Sequence, residues 1–86
     1  SEADLLNVAL FGITARIWKV NNPNQKGNIR DYATLEQLVV LSNMESINAL
    51  LIGQGLSQSD RLVQLNKVAI TQMKSLLESN SMKKLK

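Results

Sequence analysis

Apolar residues recur along the chain in four blocks with helical spacing, each opened by a hydroxyl residue and closed by glycine, proline or a polar break. Ser1 with Asp4 has the spacing of a capping box and puts an acid at the positive end of a helix dipole. Leu5, Leu6, Val8, Ala9 and Leu10 follow, and Gly12 predicts the stop because glycine tolerates the left-handed conformation just past a helix end. Thr14 predicts the cap of a second, short helix over residues 15–20. That helix must end near Asn21–Asn22, since Pro23 disfavours helical geometry in the residue before it. The turn-rich run from Asn22 to Asn28 reads as the one long loop. A third helix starts at Thr34, with Gln37 completing a capping box, and reaches about Leu51 or Ile52, where Gly53 and Gly55 end it. Ser57 with Asp60 repeats the start signal, and a fourth helix runs to about Glu78 before Ser79, Asn80 and Ser81 break it. The expected fold is all-α: a compact four-helix domain of two short helices, a long loop and two longer helices over residues 1–78, with 79–86 a flexible basic tail.

The two long helices differ in kind. In the fourth, Leu62, Leu65, Ala69, Ile70, Met73, Leu76 and Leu77 cover one arc, and Arg61, Gln64, Lys67, Thr71 and Lys74 occupy the other. The third is apolar nearly all round. A helix of that kind lies at the centre of its bundle or is covered by another chain. With only short helices available to surround it, part of its surface is expected to be buried by a partner, a second copy being the simplest. Val40, Met44, Ile47 and Leu51 are the candidate interaction surface, so Met44→Glu or Leu51→Glu should split an oligomer without unfolding the monomer.

Composition narrows the chemistry. The 86 residues include no cysteine and no histidine, which removes thiol and imidazole catalysis, disulfides and most metal sites. No cofactor or small-molecule substrate is expected, and no apolar run approaches the ~18 residues of a membrane span. The ten basic residues outnumber the seven acids, but Lys83, Lys84 and Lys86 lie in the last four positions, so the body is neutral at seven against seven. A basic end on a neutral body is a weaker nucleic-acid signal than a basic domain. The opening Ser1-Glu2-Ala3-Asp4 has neither the basic nor the apolar region of a signal peptide, and cytoplasmic residence is the expectation.

Glu45 is the polar residue that asks for an explanation, because Leu38, Leu41, Ala49 and Ile52 surround its position on the third helix. A buried carboxylate needs a partner, and the candidate is a buried ion pair with Arg30, or with Arg16. Asn48 and Asn66 read as satisfied, register-setting polar residues. Between Thr14 and Arg30 the chain carries Arg16, Lys19, Lys26 and Arg30, no acid, and Trp18 among several amides, the candidate nucleic-acid patch. The first two helices mimic a helix-turn-helix only weakly, since the second stops after about two turns. An enzyme could enlist only Glu45, Asp31, Arg30 and Tyr32, whose spacing recommends no reaction class. In the loop before the third helix, Ile29 and Tyr32 should pin the chain onto the bundle while Asp31 caps a turn and Arg30 reaches inward.

The stretch from Glu2 to Gly12, running into Thr14-Ala15 and Trp18, together with Asn22-Pro23 and the loop from Lys26 to Ala33, resembles the C-terminal helical region of KilA-N domain proteins of bacteria and their phages. Glu36-Gln37-Leu38, the block Leu41–Ala49, and Arg61-Leu62 before Leu65-Asn66 continue the resemblance, which covers roughly residues 2–77. It implies a DNA-binding context in which the DNA-binding domain lies N-terminal to this region and nothing here matches it. The resulting expectation is a non-enzymatic accessory module for self-association or protein contact, with DNA met through a separate domain. The alternative is direct nucleic-acid binding through Thr14–Arg30.

Overall fold

The computed structural model describes residues 1–84, and its described residues are all-α, with four α-helices and one 3₁₀ turn. Helix α1 spans Glu2–Phe11, α2 Ala15–Asn21, the 3₁₀ turn Ile29–Tyr32, α3 Leu35–Gly53 and α4 Gln58–Lys84. Each expected start signal is in place. The backbone N–H groups of Asp4, Ile17, Gln37 and Asp60 donate to the hydroxyls of Ser1, Thr14, Thr34 and Ser57 at 3.1–3.2 Å. At Thr34 the box is reciprocal, with the Gln37 amide oxygen accepting from the Thr34 N–H at 2.9 Å. Gly12 ends α1 at φ 81°, the left-handed region that a side chain rarely enters.

Three helices make the core. Asn48 of α3 meets Arg61 of α4, and Asn43 meets Gln72, so α3 and α4 form an antiparallel hairpin. Glu2 of α1 meets Arg61, and Asn66 of α4 donates to the Ala9 carbonyl at 3.0 Å, so α1 runs in the same direction as α4. The interior they share contains Leu6, Ala9, Val40, Leu41, Met44, Leu51, Leu65 and Ala69. Val40, Met44 and Leu65 are fully buried, each worth about 1.5–3 kcal/mol relative to exposure.

The expected interaction surface is corrected by this arrangement. Val40, Met44 and Leu51 face α1 and α4, and Ile47 packs partly buried against the same cluster. They are the core, and a charge at Met44 or Leu51 would unfold the chain. Two further corrections concern α4. It continues as helix through Ser79, Asn80 and Ser81 to Lys84, because no glycine or proline interrupts it. The tail expected over residues 79–86 is therefore helical as far as Lys84, and Leu85 and Lys86 lie outside the described residues. Arg61, assigned to the polar arc, is buried at 6% exposure.

The segment between α1 and α3 is short in helix and dense in local bonds. Asn28 and Asp31 form a reciprocal capping box around the 3₁₀ turn, and Gly27 sits at φ 85°, where a Cβ would collide with the Asp31 carboxylate. Ile29 is buried as expected, whereas Tyr32 stays half exposed and pins α2 instead. Its ring lies 5.1 Å from that of Trp18, and its hydroxyl donates to the Lys26 carbonyl at 2.6 Å.

Truncating Met44 to Ala is expected to lower the urea-unfolding free energy by about 2–5 kcal/mol. Ile70→Ala, on the exposed side of α4, should change it by less than about 0.5 kcal/mol. Equal effects at the two positions would contradict the assignment of the core.

Candidate functional site

Because α3 buries Val40, Leu41, Met44, Asn48 and Leu51 on one side, helical geometry turns Leu35, Leu38, Val39, Ser42, Ser46, Ala49 and Leu50 outward. The outward residues remain uncovered: Leu35 is 73% exposed, Leu50 61%, and Leu38 and Val39 42% each. The two charges of α3, Glu36 and Glu45, sit at the margins of this face, and the arc between them holds only aliphatic residues, serines, Asn43, Ala49 and Gly53. The solvent side of α4 is different, with Asp60, Lys67, Lys74 and Glu78 all exposed. A solvated helix face is ordinarily charged. The outside of α3 is not.

Glu45 and Arg30 do meet, with 3.7 Å between Arg30 Nη1 and Glu45 Oε1, but the pair is not buried. The Glu45 side chain is 55% exposed at the edge of a shallow groove of about 360 Å³ between α1 and α3. An exposed pair of this kind contributes about 0–1 kcal/mol. Arg30 is held more firmly from the other side, where its Nε donates to Oδ1 of the buried Asn7 at 3.1 Å. Arg16, the alternative partner, is exposed on α2 away from Glu45's salt bridge.

A second ionic contact joins a buried group to an exposed one, Arg61 with its side chain 7% exposed and Glu2 with its side chain 45% exposed. The Arg61 guanidinium donates to both carboxylate oxygens of Glu2, to Asn48 Oδ1 at 2.9 Å and, through Nε, to the Leu56 carbonyl at 3.2 Å. Asn48 closes the ring by donating to Glu2 Oε1 at 2.8 Å. One residue from each of α1, α3 and α4 is thereby locked in a single network. The Arg61 and Asn48 hydrogen bonds hold the Glu2 carboxyl down at about 2. Sequence periodicity could not reveal this contact, because a charged residue beside Asp60 in the first turn of a helix reads as solvated. The only available signal was that Arg61 falls one helical turn before Leu65, on the same face.

The four basic residues of the candidate nucleic-acid patch are not presented alike. Arg16 and Lys26 are exposed, but Lys19 donates its ammonium to the Gln25 carbonyl and Arg30 is engaged by Asn7 and Glu45. Trp18 is partly buried against Tyr32, so the aromatic member of the stretch packs rather than stands free. The residues an enzyme would enlist are likewise occupied: Asp31 caps the 3₁₀ turn, Tyr32 holds Lys26, and Arg30 and Glu45 hold each other. Among the described residues there is no group of three or more potential metal ligands, and no helix is long and apolar enough to cross a membrane. Comparison with known proteins returns no match to a family model, a curated protein or a solved structure.

The Glu2 carboxyl binds its proton less readily in the folded chain than its ordinary value of 4.5. The unfolded chain therefore takes up more protons between these values, and the stabilisation is complete above about pH 5 and lost as pH falls towards 2. Glu2→Gln should flatten the acid limb of a stability-against-pH curve measured by urea unfolding. An unchanged limb would show that Glu2 is not held by Arg61. Asn48→Ala, which removes a buried partner of both groups, should cost about 1–3 kcal/mol.

Proposed function

We propose that this chain is a non-enzymatic helical module whose work is protein–protein contact, placed in a cytoplasmic protein of the KilA-N kind that meets DNA through a separate domain. The observation that supports this reading is the charge-free outer face of α3. Large aliphatic side chains left open along a helix are costly to hydrate, and a contiguous patch rimmed by polar residues marks a contact site. These residues lie outside the core cluster, so most of the apolar surface of Leu35 and Leu50 does not serve to hold the monomer together. The neutral body supports the same reading, since it supplies no field to gather phosphates.

The reading separates from direct nucleic-acid binding in one titration. Fluorescence anisotropy of a labelled random-sequence duplex, followed across a salt series, should show at most weak binding by the full chain at low salt. That binding should vanish in the variant Lys83→Ser, Lys84→Ser, Lys86→Ser. Binding that survives the triple substitution with a steep salt slope, and is lost in Arg16→Ala, Lys19→Ala, would replace the proposal with a phosphate-tracking role for α2 and its loop.

A further inference from the structure

The interior of this chain is in two pieces. Ile29 is buried at 6% exposure, yet it does not belong to the cluster that α1, α3 and α4 share. It lines a shallow cavity of about 250 Å³ with Phe11, Ile13, Trp18, Tyr32, Ala33 and Gln37. A satellite cluster under a long connection can come apart while the main one holds.

The polar contacts divide in the same way. Within residues 13–33, Lys19 donates to the Gln25 carbonyl, Asn22 to the Trp18 carbonyl at 2.8 Å and Tyr32 to the Lys26 carbonyl at 2.6 Å. Asn28 and Asp31 close their capping box inside the same segment. Arg30 is the residue that reaches out, to Asn7 of α1 at 3.1 Å and to Glu45 of α3 at 3.7 Å. Helix α2 buries none of its residues, and an open groove of about 470 Å³ lies between it and Asp4 of α1. The segment is thus tied within itself and pinned to the long helices through two neighbours, Ile29 and Arg30. Non-helical backbone bounds it on both sides, Gly12 at φ 81° and Ala33 extended at φ −74°, ψ 148°.

We propose that residues 13–33 are a strap that opens as one unit between Gly12 and Ala33 while α1, α3 and α4 stay packed. A helix of seven residues does not persist alone in water, so α2 melts once Ile29 and Arg30 let go. The Asn7 amide oxygen then exchanges Arg30 for water. Opening also takes the arginine out of the wall of the groove of about 360 Å³ between α1 and α3, which Glu2, Glu45 and Ile52 line as well. Closed, that wall pairs Arg30 with Glu45; open, it presents the Glu45 carboxylate without this cation. The strap is independent of the outer face of α3 and of the protein-contact reading.

The test is native-state amide hydrogen exchange of the full chain, followed by NMR through a series of urea concentrations below the unfolding transition. The amides of Trp18, Asn22, Asp31 and Ala33 are hydrogen-bonded and sample both arms of the strap. They should share one protection factor, at least about 30-fold below those of Asn48 and Leu65. Urea should accelerate the core amides steeply and the strap amides only slightly, because opening the strap exposes less surface. Arg30→Ala should accelerate all four strap amides by a common factor of about tenfold. Val40→Ala, which weakens the core in the closed and open forms alike, should accelerate Asn48 and Leu65 by at least about tenfold and leave the strap amides unchanged. Strap amides that match Leu65 in protection and in urea dependence would overturn the proposal, since the segment would then open only with the whole chain. Acceleration of Asp31 and Ala33 by Arg30→Ala without Trp18 and Asn22 would overturn the single unit.

Discussion

Arg61 holds three helices at once. Its guanidinium reaches Glu2 at the start of α1, Asn48 in the third quarter of α3 and the Leu56 carbonyl in the turn before α4. A buried cation is tolerable only when its donors are satisfied, and here a carboxylate, an amide and a carbonyl do so from three directions. The geometry leaves little freedom. With Glu2, Asn48 and Arg61 sharing one point and Asn66 holding the Ala9 carbonyl further along, α1 lies along the α3–α4 hairpin in the direction of α4. Among the described residues no buried side-chain polar atom is left without a partner, so the network adds specificity without leaving an uncompensated group.

What the network fixes, it also exposes. Asn48 lies on the same side of α3 as Leu41, Met44 and Leu51, so drawing Asn48 towards Arg61 commits that side to the interior. The opposite side, from Leu35 to Gly53, is turned out by the same rotation. In a chain of this length only three helices are available to the core. A slab of three helices covers one side of each and has no fourth long helix to cover the outside of α3. α2 cannot serve, because it buries none of its residues and is spent against the 3₁₀ turn through Trp18 and Tyr32. The outer face is thus a consequence of how small the domain is as much as of how it is built.

The helix boundaries were legible because they are written in local chemistry. Ser1, Thr14, Thr34 and Ser57 each satisfy orphan N–H groups within three residues, and Gly12 takes a conformation that the sequence itself names. The inside of α3 was not legible. A helix apolar all round gives no moment from which to choose a face, and only tertiary contacts decide that Leu51 is covered while Leu50 is not. Arg61 failed for the opposite reason, since its polarity argued for solvent and its partners are distant in sequence, 59 residues away at Glu2 and 13 at Asn48. The Arg30–Glu45 pair was anticipated as a contact. Its exposure was not, because the groove beside it depends on where α1 lies.

The two-sided character of α3 is the claim on which the account turns, and methyl relaxation by a soluble paramagnetic probe reads it residue by residue. The methyls of Leu35, Leu38 and Leu50 should relax strongly, and those of Val40, Leu41 and Leu51 should not. Uniform relaxation around the helix, or Leu51 open while Leu50 is shielded, would contradict it.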